Sequence, residues 1–444
     1  MAHGTGHPAA TRRPARASRE APPVPVQCAL RRYARQEHQS RAIRRSLGSG
    51  TLILRPDAVV LPDCTVQPGV EVCVEGGEIA EVRPWTRAER NEAGLLLSPA
   101  FVNAHSHLEY FDLKGKLKSG EYWPWIREIT KVKPTRTMEE VATAAAEAAR
   151  QNVATGVAVL GEISDWPVSG AAMASAALGG RIFQEVITLA FSESTAAVRL
   201  EACRLNAKVN ADASGLPVTL SPHAPYTVDP ESLRLLGSSG EFISVHAAEH
   251  PVEREFLQRG EGPIAELYRE LGLSFEPTGL SPIEYLESVG CLHENVQIVH
   301  VCDVTLTDVE RIAASGASVA HCPRSNVQLG CPVSPVAELR KRGVKVGVGL
   351  DSAASSGAVN YFAEMREALG VAGGALSAED VWLMSTTEGA ESLRLNRRWT
   401  IEPGADPDLM LLNPVGGTLG AIIGMGGPSS VVRLLRLKGV TPLS

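Results

Sequence analysis

The feature that most constrains the fold of this chain is a series of short apolar segments that alternate with longer stretches rich in Ala, Glu, Arg and Leu. This alternation is typical of repeated βα units around a buried parallel sheet. Eight units in about 260 residues match the number and length of a (β/α)8 barrel. We therefore predict an α/β fold with a TIM-type (β/α)8 barrel. The predicted strands are Leu96–Ala104, Val157–Glu162, Ile182–Leu189, Val218–His223, Phe242–His246, Val296–His300, Ser318–His321 and Val344–Asp351.

Polar residues mark the carboxyl ends of these predicted strands. In barrels of this type, catalytic groups cluster at the carboxyl ends of the strands. A polar group left unpaired at the end of a buried strand costs about 1–3 kcal/mol. Seven such residues at one rim therefore indicate a shared function rather than seven separate packing roles. They are His105, His107, His223, His246, His300, His321 and Asp351.

Four of these residues suit a metal site. His105 and His107 are two positions apart, so their side chains leave the same face of the strand end. Neutral imidazoles with a carboxylate are ligands that Zn²⁺ prefers, and Fe²⁺ or Mn²⁺ would also accept them. Any one histidine alone would be better explained as a hydrogen-bonded residue of a packed barrel. Their shared position leads us to predict one divalent ion, zinc before iron or manganese, on His105, His107, His246 and Asp351.

The sequence on either side of the predicted barrel differs from the barrel sequence in composition and pattern. Residues 1–47 hold ten Arg and no Lys, and we predict that they form a disordered tail. Residues 48–97 contain short β-rich segments separated by Pro, Gly and Asp. A turn followed by an apolar run at Ile401–Leu412 shows the same pattern. We predict a small β-sandwich domain built from residues 48–97 and 400–444, beside a barrel at 98–399. The Gly-rich segment after Pro414 leaves open whether that sheet is complete.

Composition favours small-molecule chemistry. The net charge of −7 offers no general attraction for nucleic acid or for an acidic membrane. The apolar runs are shorter than the roughly 18 residues that a transmembrane helix needs. Eight cysteines without a C-x-x-C pair favour a reducing cytoplasm. We expect a small-molecule substrate and no nucleic-acid or membrane partner, while the oligomeric state stays open, a homodimer included.

Several motifs together resemble the amidohydrolase superfamily, and within it the branch of cytosine, guanine and adenosine-type deaminases and triazine chlorohydrolases. In chain order they are Ser98–Leu108, Ser221–Thr227, His246–Glu249, His321–Asn326, Leu350–Ser352 and Ile401–Asp406. The resemblance implies that the four residues named above bind the metal and that Asp351 also takes a proton from the attacking water. One departure is Pro99-Ala100, where relatives usually have Pro-Gly.

The resemblance also implies a mononuclear site. This branch lacks the lysine that bridges two metals in other superfamily members. The sequence contains no lysine near the ends of predicted strands three and four. A single metal ion is therefore expected.

Further roles follow from the resemblance. Glu249, three residues beyond His246, is expected to shuttle a proton to a ring nitrogen and then to the leaving group. His300 would hydrogen-bond the attacking water or the tetrahedral centre, and His223 would contact the substrate. Each has a structural alternative, a solvated carboxylate for Glu249 and a buried packing role for the two histidines. His321 is expected to support the pocket rim.

The loop after predicted strand one concentrates aromatic residues in a chain with 5% aromatics. Stacking on a planar heterocycle and packing of an amphipathic helix on the barrel explain this equally well. We name Glu109 and Trp123 as candidate substrate contacts. Arg324 is a further candidate, for an anionic group of the substrate, although an exposed loop arginine is the simpler explanation.

These expectations combine into a metal-dependent hydrolase, foremost a hydrolytic deaminase of an amino-substituted purine, nucleoside or related heterocycle. The segment from His246 to Pro263, with Ser221–Thr227, is most similar to aminodeoxyfutalosine deaminases. Two alternatives stay open. The same site could release chloride or hydrolyse an amide or formimino group, or the chain could be a non-catalytic scaffold. A different zinc deaminase fold is set aside, because its H-x-E and P-C-x-x-C signature is absent.

Overall fold

The computed structural model describes residues 51–87, 89–188, 196–414 and 416–436. The predicted tail of residues 1–47 lies outside these ranges, as do Leu189, where the third predicted strand was expected to end, and residues 437–444. Within the parts of the chain that the structure describes, none of the helices combines the length and the apolar character that crossing a lipid bilayer requires.

The described chain begins with short strands of two small sheets. These strands are β1 (Leu52–Leu54), β2 (Pro56–Val60), β3 (Val66–Pro68), β4 (Val70–Glu75), β5 (Glu78–Pro84) and β6 (Glu92–Pro99). Strands β1, β4 and β5 form an antiparallel sheet in the order β1-β4-β5. These three strands lie in the β-rich segments that the sequence shows within residues 48–97. Strands β2 and β3 were not predicted, because a proline stands in each of these short segments and proline weakens a strand pattern.

The next eight strands form two parallel sheets. They are β7 (Phe101–Ser106), β8 (Val157–Ser164), β9 (Gly179–Val186), β10 (Val218–Pro222), β11 (Ile243–Ala247), β12 (Val296–His300), β13 (Ser318–His321) and β14 (Val346–Val348). The sheet orders are β10-β9-β8-β7 and β11-β12-β13-β14. Each strand overlaps one of the eight predicted segments. Almost every residue in them is buried, which explains their continuous apolar sequence.

Backbone hydrogen bonds link the two parallel sheets at both edges. On one side, the Asp351 amide donates to the His105 carbonyl and the His107 amide donates to the Asp351 carbonyl, both at 3.0 Å. On the other side, the His246 amide donates to the His223 carbonyl at 2.9 Å. The carboxyl ends of β7 and β14 are thereby neighbours, as are those of β10 and β11.

The boundaries predicted for strand one were wrong. The segment Leu96–Ala104 belongs to two strands, β6 and β7, with Ala100 between them. The Ala100 amide donates to the Asp408 carbonyl at 2.8 Å, at the point where the chain passes from one sheet to the other. Because the whole segment is apolar, its sequence does not reveal this change of sheet.

Both ends of the described chain contribute to one sheet. Strand β15 (Leu409–Leu412) pairs antiparallel with β6, and β16 (Val431–Leu435) pairs with the other edge of β15. The five-stranded order is β16-β15-β6-β2-β3. The Gly-rich end of the chain therefore does supply a strand, although its sequence pattern is weak.

Helices connect the strands, and several begin with a capping box, in which a Ser or Thr side chain and a carboxylate three residues later satisfy free backbone amides. The helices are α1 (Tyr122–Val132), α2 (Met138–Ala154), α3 (Ser169–Ser175), α4 (Ala196–Ser214), α5 (Pro230–Gly237), α6 (Pro251–Arg259), α7 (Gly262–Glu270), α8 (Pro282–Ser288), α9 (Leu306–Ser315), α10 (Pro323–Gln328), α11 (Val336–Lys341), α12 (Ala353–Ser356), α13 (Tyr361–Val371), α14 (Ala378–Met384), α15 (Thr387–Ser392) and α16 (Leu419–Met425). Short 3-10 turns lie at Leu108–Leu113, Lys133–Thr135 and Pro428–Ser430.

The apolar core has a large and a small part. The large part surrounds the parallel strands, where the ring of Phe101 lies 5.0 Å from that of Tyr361 and 5.4 Å from that of Trp382. The small part draws on both the three-stranded and the five-stranded sheet and contains Leu97 and Leu411 from opposite ends of the described chain. The two ends are therefore held together by their own core.

Close packing of strands β7 and β8 depends on Gly161. A Cβ atom at this position would lie 2.5 Å from the Ala104 carbonyl oxygen and 2.6 Å from a methyl group of Leu393. Since Ala104 directly precedes His105, the strand carrying the predicted metal ligands can lie close to β8 only without a side chain at position 161.

We predict that Gly161→Ala lowers the free energy of unfolding by about 1–3 kcal/mol, as overpacking of an interior does. Chemical denaturation followed by circular dichroism measures the change. The control is Gly370→Ala in α13, where an added Cβ meets nothing within 4 Å. That variant should be unchanged or more stable by up to about 1 kcal/mol. Equal stability of the two variants would contradict the packing described here.

Candidate active site

The carboxyl ends of the parallel strands surround a cavity of about 710 Å³. Small-molecule sites in proteins commonly measure roughly 300–1,000 Å³. Its lining includes side chains of α1 and α7 and, at the strand ends, His107, His223, His246, His300 and Asp351. The cavity therefore has the size and position of a substrate site.

The structure brings the four predicted metal ligands together. Asp351 Oδ1 lies 3.6 Å from His105 Nε2 and 3.7 Å from His107 Nε2. The Nε2 atoms of His107 and His246 are 3.3 Å apart. One candidate ligand atom from each of His105, His107 and Asp351 lies within 4.8 Å of the others. Four residues that are distant in the chain thus point at one small volume.

The chemistry of these side chains fits a divalent cation. Burial lowers the pKa of His105, His107 and His246, which keeps their imidazoles neutral as ligation requires. Burial alone would raise the pKa of Asp351, but the facing imidazoles hold it well below its usual range, so it is an anion. Among the described residues, neither ring nitrogen of buried His105 has a hydrogen-bond partner at normal distance. A cation bound by one of these two nitrogens would reduce the free-energy cost of leaving them unpaired.

Neighbouring groups orient these ligands. Asp351 Oδ2 accepts hydrogen bonds from Ser325 Oγ at 2.5 Å and Ser355 Oγ at 2.9 Å, which leaves Oδ1 for the histidines. The Nδ1 of His246 lies 2.9 Å from the His223 carbonyl oxygen, so Nε2 faces inward. Asp351 also has a φ of 55°, a left-handed conformation that is uncommon for a residue other than glycine and that is often found at functional sites.

Glu249 and His300 lie together beside this cluster. His300 Nε2 is 3.5 Å from Glu249 Oε1, and His300 Nδ1 is 2.9 Å from Asn326 Oδ1. Both Glu249 and His300 are buried and line the cavity. Asn326 therefore fixes the ring that faces the carboxyl group of Glu249.

Glu249 has the properties of an acid at neutral pH. Burial, reinforced by the nearby Asp351 carboxylate, raises the pKa of Glu249 to about 8. The carboxylate of Glu253 accepts hydrogen bonds from the amides of Ala248 and Glu249 at 3.0 and 2.9 Å. The backbone that carries Glu249 is thus held in place, and its carboxyl group keeps a proton that it could donate.

His223 lies next to His246, with the two ring centroids 5.1 Å apart. Its Nδ1 is 2.8 Å from Thr227 Oγ1, and its Nε2 is 3.9 Å from Glu185 Oε1. Burial lowers the pKa of His223 to about 3, so the ring is neutral. It lines the cavity, as expected of a residue that meets the substrate.

Besides Glu253, three charged cavity residues on the side of β8 and β9 were missed by the sequence analysis. Lys133 Nζ lies 2.9 Å from Asp165 Oδ2 and 3.7 Å from Glu185 Oε2. Glu185 is in β9 and Asp165 directly follows β8, so the rule that singled out the histidines at strand ends would also have found both carboxylates. The sequence also showed no lysine near predicted strand three. The structure corrects this, since Lys133 arrives there from the turn after α1.

The aromatic segment after β7 forms an amphipathic helix and also faces the cavity. Helix α1 begins at Tyr122, and Tyr122, Trp123 and Trp125 line the cavity. The Tyr122 ring stacks on that of His250 at 4.8 Å. The helix therefore packs as an amphipathic helix does, while stacking of its aromatic rings on a planar substrate stays a prediction.

Two predicted substrate contacts are engaged elsewhere. The Glu109 carboxylate accepts hydrogen bonds from Ser164 Oγ at 2.8 Å and from the Trp166 amide at 3.0 Å, and it is buried. Arg324 Nη1 donates to the Ala358 carbonyl at 2.8 Å and pairs with Glu364 at 3.3 Å. Both side chains hold loops, and neither is among the described residues that line the cavity, so a contact of either with the substrate stays a prediction from sequence. His321 is buried at the end of β13, behind the cavity wall.

This chain is similar in sequence to proteins of a known family. The profile of the amidohydrolase family matches residues 96–436. An aminodeoxyfutalosine deaminase from Deinococcus radiodurans is 31% identical over 320 residues, which cover 68% of this chain and 75% of that protein. A 5-methylthioadenosine/S-adenosylhomocysteine deaminase from Halobacterium salinarum is 30% identical over 378 residues, covering 82% and 84%.

Solved structures show the same fold. A zinc-bound adenosine deaminase from Xanthomonas campestris superposes with a TM-score of 0.73 at 22% identity, covering 87% of this chain and 91% of that one. An aminofutalosine deaminase from Helicobacter pylori, in complex with methylthio-coformycin, superposes with a TM-score of 0.74 at 22% identity, covering 87% and 99%. Because the family profile extends over most of the chain, the protein belongs to the amidohydrolase family.

Proposed function

We propose that this protein is a metal-dependent hydrolytic deaminase of adenosine-like nucleosides. The observation that carries the proposal is that buried Glu249 shares one cavity with the cluster of His105, His107, His246 and Asp351. The two curated relatives described above are both named as deaminases, which favours ammonia over chloride or an amide fragment as the leaving group. A non-catalytic scaffold would not need this set of groups.

We propose that β7–β14 close into a (β/α)8 barrel at residues 98–399. The hydrogen bonds between β14 and β7 and between β10 and β11 support this closure. The three-stranded and the five-stranded sheet would form the flanking domain from residues 48–97 and 400–444, with the tail of residues 1–47 outside both. The separate core that joins Leu97 to Leu411 supports this division.

A single divalent ion is proposed at His105, His107, His246 and Asp351, with zinc favoured over iron or manganese. Three neutral imidazoles and one carboxylate are a ligand set that zinc accepts. When bound, the ion would make a water molecule acidic enough to act as a nucleophile near neutral pH.

The protein's own residues would handle the protons of the reaction. Asp351 is anionic and would accept a proton from the attacking water. Glu249 would donate its proton to the ring nitrogen beside the amino-bearing carbon, which makes that carbon more electrophilic. His300 would hydrogen-bond the new oxygen substituent. Glu249, now a carboxylate, would take the proton of the new hydroxyl group and pass it to the amino nitrogen. The bond from the ring carbon to that nitrogen would then break, which forms the carbonyl group and releases ammonia. The proton that Asp351 accepted would return Glu249 to its acid form.

His223 and Trp123 are proposed to contact the substrate, since both line the cavity. The proposed partner is thus a small molecule. The seven cysteines within the described residues are all free thiols, which supports a reducing compartment such as the cytoplasm.

We predict that Glu249→Gln lowers kcat by about 10²–10⁴-fold on an adenosine-like substrate, because the amide cannot donate a proton in the same way. Release of ammonia measures the rate, and metal content should stay unchanged. The control is Glu255→Gln in α6, whose carboxylate pairs with Arg259 outside the cavity. A Glu249→Gln enzyme as active as this control would refute the proposed role.

We predict about one metal ion per chain in the purified protein and its loss in His105→Gln, because one of the ligands is removed. Elemental analysis by mass spectrometry measures the content. The matched control is His293→Gln, since His293 Nε2 lies 2.9 Å from the Gly237 carbonyl oxygen, away from the cavity. Treating the wild-type enzyme with a chelator should abolish activity, and added zinc should restore it. Full metal content in a folded His105→Gln variant would contradict the assignment.

A further inference from the structure

Two buried carboxyl groups near the cavity have no part in the proposed reaction. Glu109 lies in the 3-10 turn that follows β7, and Glu162 lies in β8. Their exposed fractions are 1% and 0%, and neither is among the described residues that line the cavity. Burying a carboxyl group costs free energy unless the group makes hydrogen bonds. The hydrogen bonds that these two side chains make therefore indicate what they do.

The Glu109 side chain binds the backbone that follows β8. Its Oε2 accepts a hydrogen bond from the Asp165 amide at 3.0 Å, and its Oε1 accepts one from the Trp166 amide at 3.0 Å. Both Asp165 and Trp166 line the cavity. Glu109 therefore fixes a part of the cavity wall from behind.

The Glu162 side chain makes the reciprocal contact. Its Oε1 accepts a hydrogen bond from the Leu108 amide at 3.0 Å, and Leu108 directly follows His107 in the chain. Each of the two strand ends thus supplies a carboxyl group that binds the backbone of the other. The Ser169 hydroxyl lies 2.9 Å from Glu162 Oε1 and 3.2 Å from Glu109 Oε1, so it bridges the two side chains.

The two carboxyl groups differ in how many of their oxygens bind backbone amides. Both oxygens of Glu109 do so. In Glu162, Oε1 binds the Leu108 amide, whereas Oε2 has no hydrogen-bond partner among the described residues. A glutamine side chain offers one accepting oxygen and one donating NH2 group. Glutamine can therefore replace Glu162, but at position 109 its NH2 group would face a backbone N–H donor.

We propose that Glu109 and Glu162 are positioning residues of the active site. Glu162 holds the backbone at Leu108 and thereby orients His107 for metal binding. Glu109 holds Asp165 and Trp166 in the part of the wall that meets the substrate. This inference rests on the proposed function, because it concerns the metal and the substrate of the same site.

Metal affinity tests the role of Glu162. In Glu162→Leu the Leu108 amide loses its acceptor, so zinc should bind about 10–100-fold more weakly, as is typical when a group that supports a metal ligand is lost. Glu162→Gln keeps an accepting oxygen and should bind zinc as the wild type does. Competition with a chromophoric chelator measures the affinity. Wild-type affinity in Glu162→Leu, or an equal loss in both variants, would overturn the inference.

Steady-state kinetics test the role of Glu109. In Glu109→Gln the wall at Asp165 and Trp166 loses a hydrogen-bond acceptor, so KM for adenosine should rise by about 10-fold or more, as expected when a backbone donor is left without its partner. The value of kcat should change by a smaller factor, because the groups that carry out the reaction keep their own contacts.

The matched control is Asp308→Asn in α9. Asp308 is buried, accepts hydrogen bonds from the Thr305 amide at 2.9 Å and from Ser281 Oγ at 2.6 Å, and is not among the described residues that line the cavity. Both substitutions should destabilise the fold, but Asp308→Asn should leave KM unchanged. A KM in Glu109→Gln equal to that of the control would refute the positioning role.

Amide hydrogen exchange separates this inference from the proposed function. The Asp165 and Trp166 amides should exchange faster in Glu109→Gln, and the Leu108 amide should exchange faster in Glu162→Leu, which mass spectrometry of peptides containing these amides detects. If the wild type releases no ammonia from adenosine, the deaminase proposal fails, while the exchange rates still test both carboxyl groups. Wild-type exchange rates at these amides in both variants would contradict the inference.

Discussion

The structure depends on the convergence of three imidazoles and one carboxylate at the largely buried strand ends that line the cavity. His105 is fully buried, and within the described part of the chain its ring nitrogens lack hydrogen-bond partners. Asp351 keeps its charge there because imidazoles face it. An arrangement of this kind would be unfavourable without a cation, since buried polar groups left unpaired cost free energy. The proposed chemistry therefore depends on a cation bound by these four groups.

The fold can be understood as the support for this cluster. The backbone of Asp351 joins β14 to β7 through hydrogen bonds on both sides, and its second carboxylate oxygen is held by two serines. Close approach of β14 also requires Gly349, where an added Cβ would lie 2.9 Å from the Cβ of His105. The backbone hydrogen bonds between the strands, the hydrogen bonds from the serines and the absence of a side chain at Gly349 therefore all help to position His105 or Asp351. Such support keeps ligands oriented before a metal or substrate arrives.

Much of this architecture could be predicted from sequence, because buried parallel strands are apolar throughout and polar residues at their ends stand out. The same reasoning failed where contacts are made by residues far apart in the chain. Lys133 reaches Glu185 from a turn that no local pattern links to β9. Glu109 follows the metal-binding motif in sequence, yet its carboxylate holds the loop after β8. Local sequence shows which residues lie near the rim, whereas packing decides the direction in which each side chain points.

The most direct test of the account is X-ray absorption spectroscopy at the K edge of the metal in the protein as purified. The account predicts one ion per chain with only nitrogen and oxygen ligands at about 2.0–2.2 Å and with the outer-shell scattering of three imidazoles. Sulfur in the first shell, or an oxygen shell without imidazole scattering, would contradict the central claim.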